Sequence, residues 1–257
     1  KLVFTTAAQR RHSLIPRWLI SRMDTIIATT PEAARFVPES RAVVPHGVDI
    51  DRFRPALSRI DAWAATGFPG TAGVAAIGRI REEKGTDRFV AAMIDTLPHL
   101  PGYTALVVGK AAPEHTQFLA RLKAQVAAAG LSERILFPGE IDAANMPDLV
   151  RGLSLLIALP RYEGYGVTPL EAMACGVPFV ASDTGWFEQF SGGGAAGVVV
   201  PGGDPQASAE QIITLLSDPS RFQTMAENAR NRATEHFSVA AEADAINAVY
   251  EALWSKG

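Results

Sequence analysis

The chain has 257 residues, of which 47% are hydrophobic and 20% charged, a balance that excludes disordered, collagen-like and low-complexity proteins. One cysteine, Cys175, excludes a disulfide framework and a cysteine-rich metal site, and it favours a reducing, cytoplasmic compartment. The net charge of −3 does not indicate nucleic-acid binding, and no apolar run reaches the ~20 residues of a membrane span.

Short apolar runs alternate with stretches of helical period along the chain. Strands are predicted at 1–7, 24–30, 41–45, 73–78, 103–109, 133–138, 154–159, 177–182 and 196–200. Helices are predicted at 13–23, 31–37, 57–66, 86–97, 114–129, 142–151, 168–175, 205–217, 219–235 and 239–255. Continuous apolar strands separated by helices predict an α/β fold with a doubly wound, Rossmann-like parallel sheet.

The predicted elements divide the chain into unequal parts. Residues 1–45 hold about three strands and two helices, too few for an independent doubly wound domain. We interpret them as the end of an N-terminal Rossmann-like domain, because the chain opens directly in an apolar run. Residues 46–56 are predicted to be a linker and 57–235 a complete domain. The helix within 236–257 is expected to pack back on the N-terminal part.

Residues 1–45 are basic, with seven Lys and Arg against three acidic residues, a local charge of +4. The segment 10–23 is amphipathic, with apolar residues on one helical face beside four arginines: Leu14, Ile15, Trp18, Leu19 and Met23, with Arg10, Arg11, Arg17 and Arg22. This pattern is compatible with contact to an anionic membrane surface. We favour packing of the helix on its own sheet, because every βα unit needs such an apolar face.

The most informative segment is 160–176, whose pattern predicts the end of a strand, a loop with glycines and the start of a helix. That order is typical of an anion site at the carboxyl edge of a parallel sheet. Gly164 and Gly166 let the backbone approach a ligand closely. The amides from Tyr165 to Thr168 are expected to point at a phosphate, with the helix dipole behind them.

Two glutamates flank this loop. Glu163 lies at the strand end, and Glu171 lies about one turn into the helix. One carboxylate suits the hydroxyls of a sugar and the other a ribose diol. The alternative is that both are solvated charges, but the glycines and the strand–loop–helix order favour a site.

The loop 78–85, which follows the strand at 73–78, carries Arg79 and Lys84. Two fixed cations at a strand end suit a diphosphate, with arginine as a planar fork and lysine as a point charge. Ordinary surface charge is the alternative, because neighbouring residues of the loop are also charged. Dinucleotide, P-loop, metal-ligand and serine-nucleophile patterns are not matched.

These segments resemble a known family. "GR" at 78–79, "KG" at 84–85, "EGYGVTPLEAMACGVPFVAS" at 163–182 and "HGVDIDRFRP" at 46–55 resemble the retaining GT-B glycosyltransferases of family 4, the glycosyl transferases group 1. "KLVFTTAAQRRH", "RWLISRMDTIIATT" and "KGTDRFVAAMI" are similar to mannosyltransferases of lipopolysaccharide core assembly. The resemblance implies a GT-B fold with a C-terminal donor domain and the end of an N-terminal Rossmann-like domain.

The resemblance implies a role for each matched residue. Arg79 and Lys84 match the pair that neutralises the nucleotide diphosphate, Glu163 the residue that contacts the donor sugar, and Glu171 the residue that binds the ribose. The remaining donor-binding candidates are Gly78, Gly164, Tyr165, Gly166, Val167 and Thr168 for the diphosphate and sugar, and Gly139, Glu140 and Ile141 for the base.

The function implied is transfer of a sugar with retention of configuration, mannose from GDP-mannose, to a lipopolysaccharide-core, other glycolipid or oligosaccharide acceptor. No cofactor or metal is expected. The expected location is the cytoplasm, with the inner face of the cytoplasmic membrane as an open alternative. The alternatives are a nucleotide-sugar binding module inactive alone, a transferase using a UDP-sugar, and a sugar-nucleotide epimerase. The family often has a histidine where this chain has Thr6 and Ala7, and His12 follows.

Overall fold

The computed structural model describes residues 1–7, 11, 13–37 and 42–255. His12 and Arg10, singled out above, lie outside the described residues. Within them the chain forms two parallel sheets, one of three strands and one of six, with helices packed around them. The parallel α/β architecture predicted from the alternation of apolar runs and helical periods is therefore confirmed.

The smaller sheet has the order β1-β2-β3. Its elements are β1 (Val3–Thr6), α1 (Leu14–Ile20), β2 (Thr25–Ala28), α2 (Pro31–Arg35) and β3 (Ala42–Val43). All four residues of β2 are buried, as expected for a central strand covered on both faces.

The larger sheet has the order β6-β5-β4-β7-β8-β9, and every pairing is parallel. Its strands are β4 (Ala72–Ile77), β5 (Tyr103–Val108), β6 (Ile135–Gly139), β7 (Leu153–Ala158), β8 (Phe179–Ser182) and β9 (Gly197–Val200). Its helices are α3 (Arg59–Ala65), α4 (Thr86–Thr96), α5 (Thr116–Ala128), α6 (Met146–Gly152), α7 (Val167–Ala174), α8 (Phe187–Ser191), α9 (Pro205–Leu216), α10 (Pro219–His236) and α11 (Val239–Trp254).

The strand order reverses at β4. The chain runs outward from β4 through β5 to β6 and then returns to β7 on the other side of β4. In open parallel sheets a ligand binds outside the carboxyl ends of the strands at such a switch point. The fold therefore places the loops after β4 and β7, which carry the predicted cations and glutamates, side by side.

Each face of the larger sheet has its own apolar core. One core includes Trp63, Phe179 and Phe190 and lies under α3, α6, α7 and α10. The other includes Phe89, Leu122 and Ile212 and lies under α4, α5 and α9. Two buried faces explain why the strands of this sheet are almost continuously apolar.

One predicted packing interaction is wrong. The favoured interpretation of 10–23 put its apolar face against its own sheet, yet Leu14, Ile15, Trp18 and Leu19 are 81%, 75%, 57% and 48% exposed. Only Ile20 of α1 is buried. Among the described residues, the core of the smaller sheet consists of three buried side chains with two partly buried neighbours. This surface is too small to cover a wide helix face.

The helix α8 is absent from the sequence-based assignment, because five residues are too few to show a helical period. The linker residues 46–56 contain one isolated bridge, between Val48 and Ser238. Val48 donates its amide to the carbonyl of Phe237 at 2.8 Å and accepts from the amide of Val239 at 3.1 Å. The linker is thus fixed to the junction between α10 and α11.

Helix α11 also lies beside the smaller sheet. A groove is lined on one side by Asp24, Thr25 and Ala42 and on the other by Val249 and Leu253 of α11. None of the helices that the structure describes is both long enough and apolar enough to span a bilayer.

Candidate functional site

A cavity of about 110 Å³ opens at the carboxyl ends of β4 and β7. Its walls include six of the predicted residues: Gly78, Arg79, Lys84, Glu163, Gly166 and Thr168. These residues come from two segments separated by about 80 positions, and the switch point joins them. The cavity is smaller than the ~300–1,000 Å³ typical of small-molecule sites, so it encloses only part of a nucleotide sugar.

The two predicted cations differ in their surroundings. Lys84 ends a short 3-10 turn, Glu82–Lys84, and its Nζ lies 2.7 Å from Glu163 Oε2. Arg79 is exposed at the rim, and no carboxylate among the described residues forms an ion pair with it. One cation is therefore held in place by a carboxylate, and the other is available to an anion.

Glu163 connects the lysine to the start of the glycine loop. Its Oε2 contacts Lys84, and its Oε1 accepts a hydrogen bond from the amide of Gly164 at 3.0 Å. Both side chains of the pair are about three-quarters covered by protein. The carboxylate is thereby oriented toward the cavity mouth, where a hydroxyl-bearing ligand would meet it.

Helix α7 begins at the cavity, and Gly166 precedes its first residue. Gly166 has a φ of +96°, and a Cβ atom there would lie 2.1 Å from Phe187 Cε1. Only glycine fits both requirements. The first-turn amides of an α-helix have no partner within the helix and carry the positive end of its dipole. Val167, at the first position, is exposed, and Thr168 lines the cavity.

The Tyr165 side chain points into the protein instead of the cavity. It is only 4% exposed and packs against Trp186 and Phe190. Its hydroxyl donates to the carbonyl of His46 in the linker at 2.7 Å, and burial raises its pKa. Only the backbone of Tyr165 is therefore left for a ligand, as the predicted amide contact requires.

The smaller sheet reaches the same loop. A Cβ atom at Gly164 would lie 3.2 Å from the carbonyl oxygen of Ala7, which directly follows β1. Ala7 and Thr6 occupy the position where the resembled family often has a histidine. The carboxyl end of β1 thus lies next to the glycine loop.

Glu171 lies on α7 outside the walls of the cavity. Burial raises the pKa of its carboxyl group to about 7, and the positive charge of Arg52 in the linker opposes that rise. The Arg52 guanidinium also donates to the carbonyl of Ala143. Glu171 is therefore placed between the linker and the loop after β6, with a carboxyl group that is partly protonated near neutral pH.

The three candidates for the base lie further away. Gly139 ends β6, and its carbonyl accepts from the amide of Gly109 at 2.8 Å. Glu140 is exposed. Ile141 lines a separate groove between α3 and α6, together with Asp148. The structure does not bring these three residues into the cavity with Arg79 and Lys84, and their role stays a prediction.

Two glycines that sequence reasoning did not single out support the site. Gly85 follows Lys84 with a φ of +67°, and a Cβ atom there would lie 1.8 Å from the carbonyl oxygen of Leu159. A Cβ atom at Gly185 would lie 2.9 Å from the carbonyl oxygen of Tyr165. Gly85 lies in the "KG" pair that carried the resemblance, whereas the role of Gly185 depends on contacts distant in sequence.

Comparison with known proteins identifies the family. Residues 66–232 match the family model described as glycosyl transferases group 1. This range is well over half of the chain and includes both loops of the site. The chain belongs to the glycosyl transferases group 1 family. As a glycosyltransferase it is expected to use a nucleotide-sugar donor and an acceptor.

Two relatives match this glycosyltransferase along almost its whole length. It is 44% identical to the lipopolysaccharide core biosynthesis mannosyltransferase LpcC of Rhizobium leguminosarum bv. viciae, over 98% of this chain and 71% of that protein. It is 42% identical to the lipopolysaccharide core biosynthesis mannosyltransferase LpsB of Rhizobium meliloti, over 98% of this chain and 72% of that protein. The predicted family resemblance is thereby confirmed.

Solved structures confirm the predicted GT-B fold of this glycosyltransferase. The C-terminal domain of the group 1 glycosyltransferase LpcC from Francisella tularensis superposes with a TM-score of 0.72 at 33% identity, covering 75% of this chain and 100% of that domain. Anabaena HepE, solved with UDP and glucose, superposes with a TM-score of 0.83 at 24% identity, covering 97% of this chain and 71% of HepE. At that identity the second likeness concerns the fold alone.

Proposed function

We propose that this glycosyltransferase transfers mannose from GDP-mannose, with retention of configuration, to a lipopolysaccharide-core or related glycolipid acceptor. The observation that carries the proposal is the meeting of Arg79, Lys84 and Glu163 with the N-terminus of α7 around one cavity. The identity of 44% and 42% to two mannosyltransferases of lipopolysaccharide core biosynthesis supports the choice of sugar and acceptor class.

In this proposal the cations act on the leaving group. As the bond between the anomeric carbon and the diphosphate breaks, negative charge grows on the diphosphate oxygens. Arg79, Lys84 and the first amides of α7 would stabilise that charge without reorganisation. The acceptor oxygen forms its new bond on the face that the diphosphate leaves, and its proton passes to a diphosphate oxygen. Glu163 would orient the donor sugar through its hydroxyls.

We propose further that this arrangement works without a cofactor or a metal, since two side-chain cations and a helix N-terminus already supply positive charge. Glu171 would accept hydrogen bonds from the ribose diol. Gly139, Glu140 and Ile141 remain our candidates for contact with the base, which would extend over the carboxyl ends of β5 and β6.

The division of the chain is also part of the proposal. Residues 57–235 would bind the donor, residues 46–56 would link two domains, and 1–45 would belong to the acceptor-binding domain. The contact between Ala7 and the site at Gly164 supports this placement of 1–45. The groove between α11 and the smaller sheet supports packing of 236–257 on that domain.

Isothermal titration tests the donor. The protein is titrated in EDTA with GDP, UDP, GDP-mannose and UDP-glucose. We expect GDP and GDP-mannose to bind and UDP to bind at least tenfold more weakly, about 1.4 kcal/mol. Tight UDP binding without GDP binding would replace GDP-mannose with a UDP-sugar. Failure of every nucleotide to bind would reject the proposal, and binding without transfer would favour a donor-binding module.

The diphosphate contact is tested by Arg79→Ala. Loss of one preorganised charge at the leaving group should slow donor turnover by roughly 10²–10³-fold, by analogy with the loss of one oxyanion donor. Arg221→Ala, on the exposed side of α10, is the matched control and should turn over like the wild type. Turnover of Arg79→Ala near the wild-type rate would remove Arg79 from the diphosphate site.

We also propose peripheral contact of α1 with the anionic inner face of the cytoplasmic membrane. Four large apolar side chains of α1 are exposed, and Arg17 and Arg22 lie in or directly after the helix. Apolar residues flanked by arginines are the combination that binds anionic lipid surfaces. A glycolipid acceptor would be reached from the same surface.

A further inference from the structure

The loops after β4 and β7 are fastened together outside the cavity. Arg161 contacts Asp87 in a two-point geometry, with Nη1 at 2.8 Å from Oδ1 and Nη2 at 2.6 Å from Oδ2. Asp87 lies in the first turn of α4, three residues after Lys84, and Arg161 lies two residues before Glu163. Neither residue lines the cavity.

The backbone extends this fastening toward the site. The amide of Arg161 donates to the carbonyl of Glu83 at 2.8 Å, and Nη1 of Arg161 donates to the carbonyl of Glu82 at 2.5 Å. Arg161 therefore contacts the backbone of the two residues that immediately precede Lys84. The planar fork of arginine suits the two contacts to Asp87, and Nη1 also reaches the carbonyl of Glu82.

A second arginine adds to the contact between the loops. Arg88 Nη1 donates to the carbonyls of Leu159 and Pro160 at 3.3 and 3.4 Å. The close approach of Gly85 to Leu159 brings the two backbones together at the same place. The 3-10 turn that carries Lys84 is therefore held against the segment that carries Glu163 by contacts along both chains.

We propose that Arg161 and Asp87 are positioning residues, which set the place of Lys84 for the donor diphosphate by clamping its turn to the loop after β7. This inference rests on the proposed function. The clamp acts through Lys84 and touches no ligand itself. Its side chains are partly exposed, 40% for Arg161 and 29% for Asp87, so its loss should cost little stability and should appear in ligand affinity.

A double-mutant cycle with GDP as the titrant tests the clamp. Arg161→Ala should weaken GDP binding about tenfold, and Arg161→Lys should recover only part of that loss. In a Lys84→Ala background the Arg161→Ala change should have no further effect, because the residue it positions is gone. Arg221→Ala, on the exposed side of α10, is the matched control and should leave GDP affinity unchanged.

The outcomes distinguish the clamp from the proposed diphosphate site. If Lys84→Ala does not weaken GDP binding, the diphosphate assignment fails. If Lys84→Ala weakens GDP binding but Arg161→Ala does not, the clamp is overturned while the diphosphate site stands. The same conclusion follows if the double variant loses GDP affinity by the product of the two single-variant losses, because the residues then act independently. Hydrogen exchange without ligand gives an independent result, since Arg161→Ala should speed exchange in 82–88 and 159–163, and unchanged exchange there would also overturn the clamp.

Discussion

Burial of the Glu171 carboxyl group carries a cost in stability. Burial raises its pKa to about 7, whereas an unperturbed glutamate titrates near 4.3. The folded protein therefore binds this proton more tightly than the unfolded chain does. The resulting stabilisation is complete below about pH 4 and is lost as the pH rises through 7.

Replacement of Glu171 by Gln should remove this pH dependence. At pH 8.5 the variant should be more stable than the wild type by about 1–3 kcal/mol, because it buries no carboxylate. At pH 5.5, between the unfolded and folded pKa values, the difference should be about half as large. Urea unfolding at both pH values measures it, with Glu251→Gln on the exposed face of α11 as the control. Equal stability of Glu171→Gln and wild type at pH 8.5 would show that the carboxyl group is not desolvated.

At the same scale, residue types and their local order were enough to select several residues of the candidate site. Arg79, Lys84, Glu163 and Thr168 were chosen from two short motifs, and they meet around one cavity. The burial of the Tyr165 side chain was not visible in the motif, because an aromatic residue between two glycines does not show which way its ring points. Its orientation depends on Trp186 and Phe190, which lie on a later part of the chain.

Among the elements, α1 is the one whose environment differs most from expectation. Its sequence has the period of a helix with an apolar face, and the helix is present at Leu14–Ile20. The face is nevertheless exposed, with Arg22 packed 4.8 Å from the centre of the Trp18 ring. A helical period shows that residues share a face, but it does not show what covers that face.

Vesicle sedimentation tests the proposed membrane contact of α1. The protein should sediment with vesicles that contain anionic lipid and stay in solution with neutral phosphatidylcholine vesicles. Arg17→Glu with Arg22→Glu should reduce the partition coefficient for these vesicles at least tenfold, since each basic residue near an anionic surface contributes about 1 kcal/mol. Arg221→Glu, on α10, is the matched control. Equal binding by the double variant and wild type would reject the contact.

The order of elements was predictable to within a few residues, because the strands of the larger sheet are short continuous apolar runs and its helices are longer segments with a helical period. The short helix α8 was missed, although its Phe187 contacts the site at Gly166. The pairing of β4 with β7 could not be predicted from the sequence either. Strand neighbours depend on the return of the chain after β6, which no local pattern encodes.

At the scale of the whole molecule, one side chain connects the glycine loop after β7 to the predicted linker, residues 46–56. The Tyr165 hydroxyl donates to the carbonyl of His46. The His46 ring lies 3.1 Å from Glu242 of α11, whose second oxygen accepts from the amide of Gly47 at 2.8 Å. The glycine loop, the predicted linker and α11 are therefore joined through adjoining hydrogen bonds.

Tyr165→Phe should break this connection while keeping the ring in place. We expect a loss of about 1 kcal/mol in the free energy of unfolding, the net value of one hydrogen bond, with an added contribution from the carbonyl of His46 left without its partner. Urea unfolding measures the change. Tyr162→Phe, at an exposed position on the neighbouring segment, is the control. A Tyr165→Phe protein as stable as the wild type would show that the hydroxyl adds nothing to the connection.

The sequence by itself determined the class of fold, the family and several residue types around the candidate site. Each of these depends on local order: the period of apolar residues, the glycines beside a strand end, and cations in a fixed spacing. Only the tertiary structure decided that Lys84 is paired with Glu163, that Tyr165 is buried, that α1 is exposed and that Arg161 fastens one loop to the other. These features join residues far apart in the chain, and such contacts depend on how the packed elements meet.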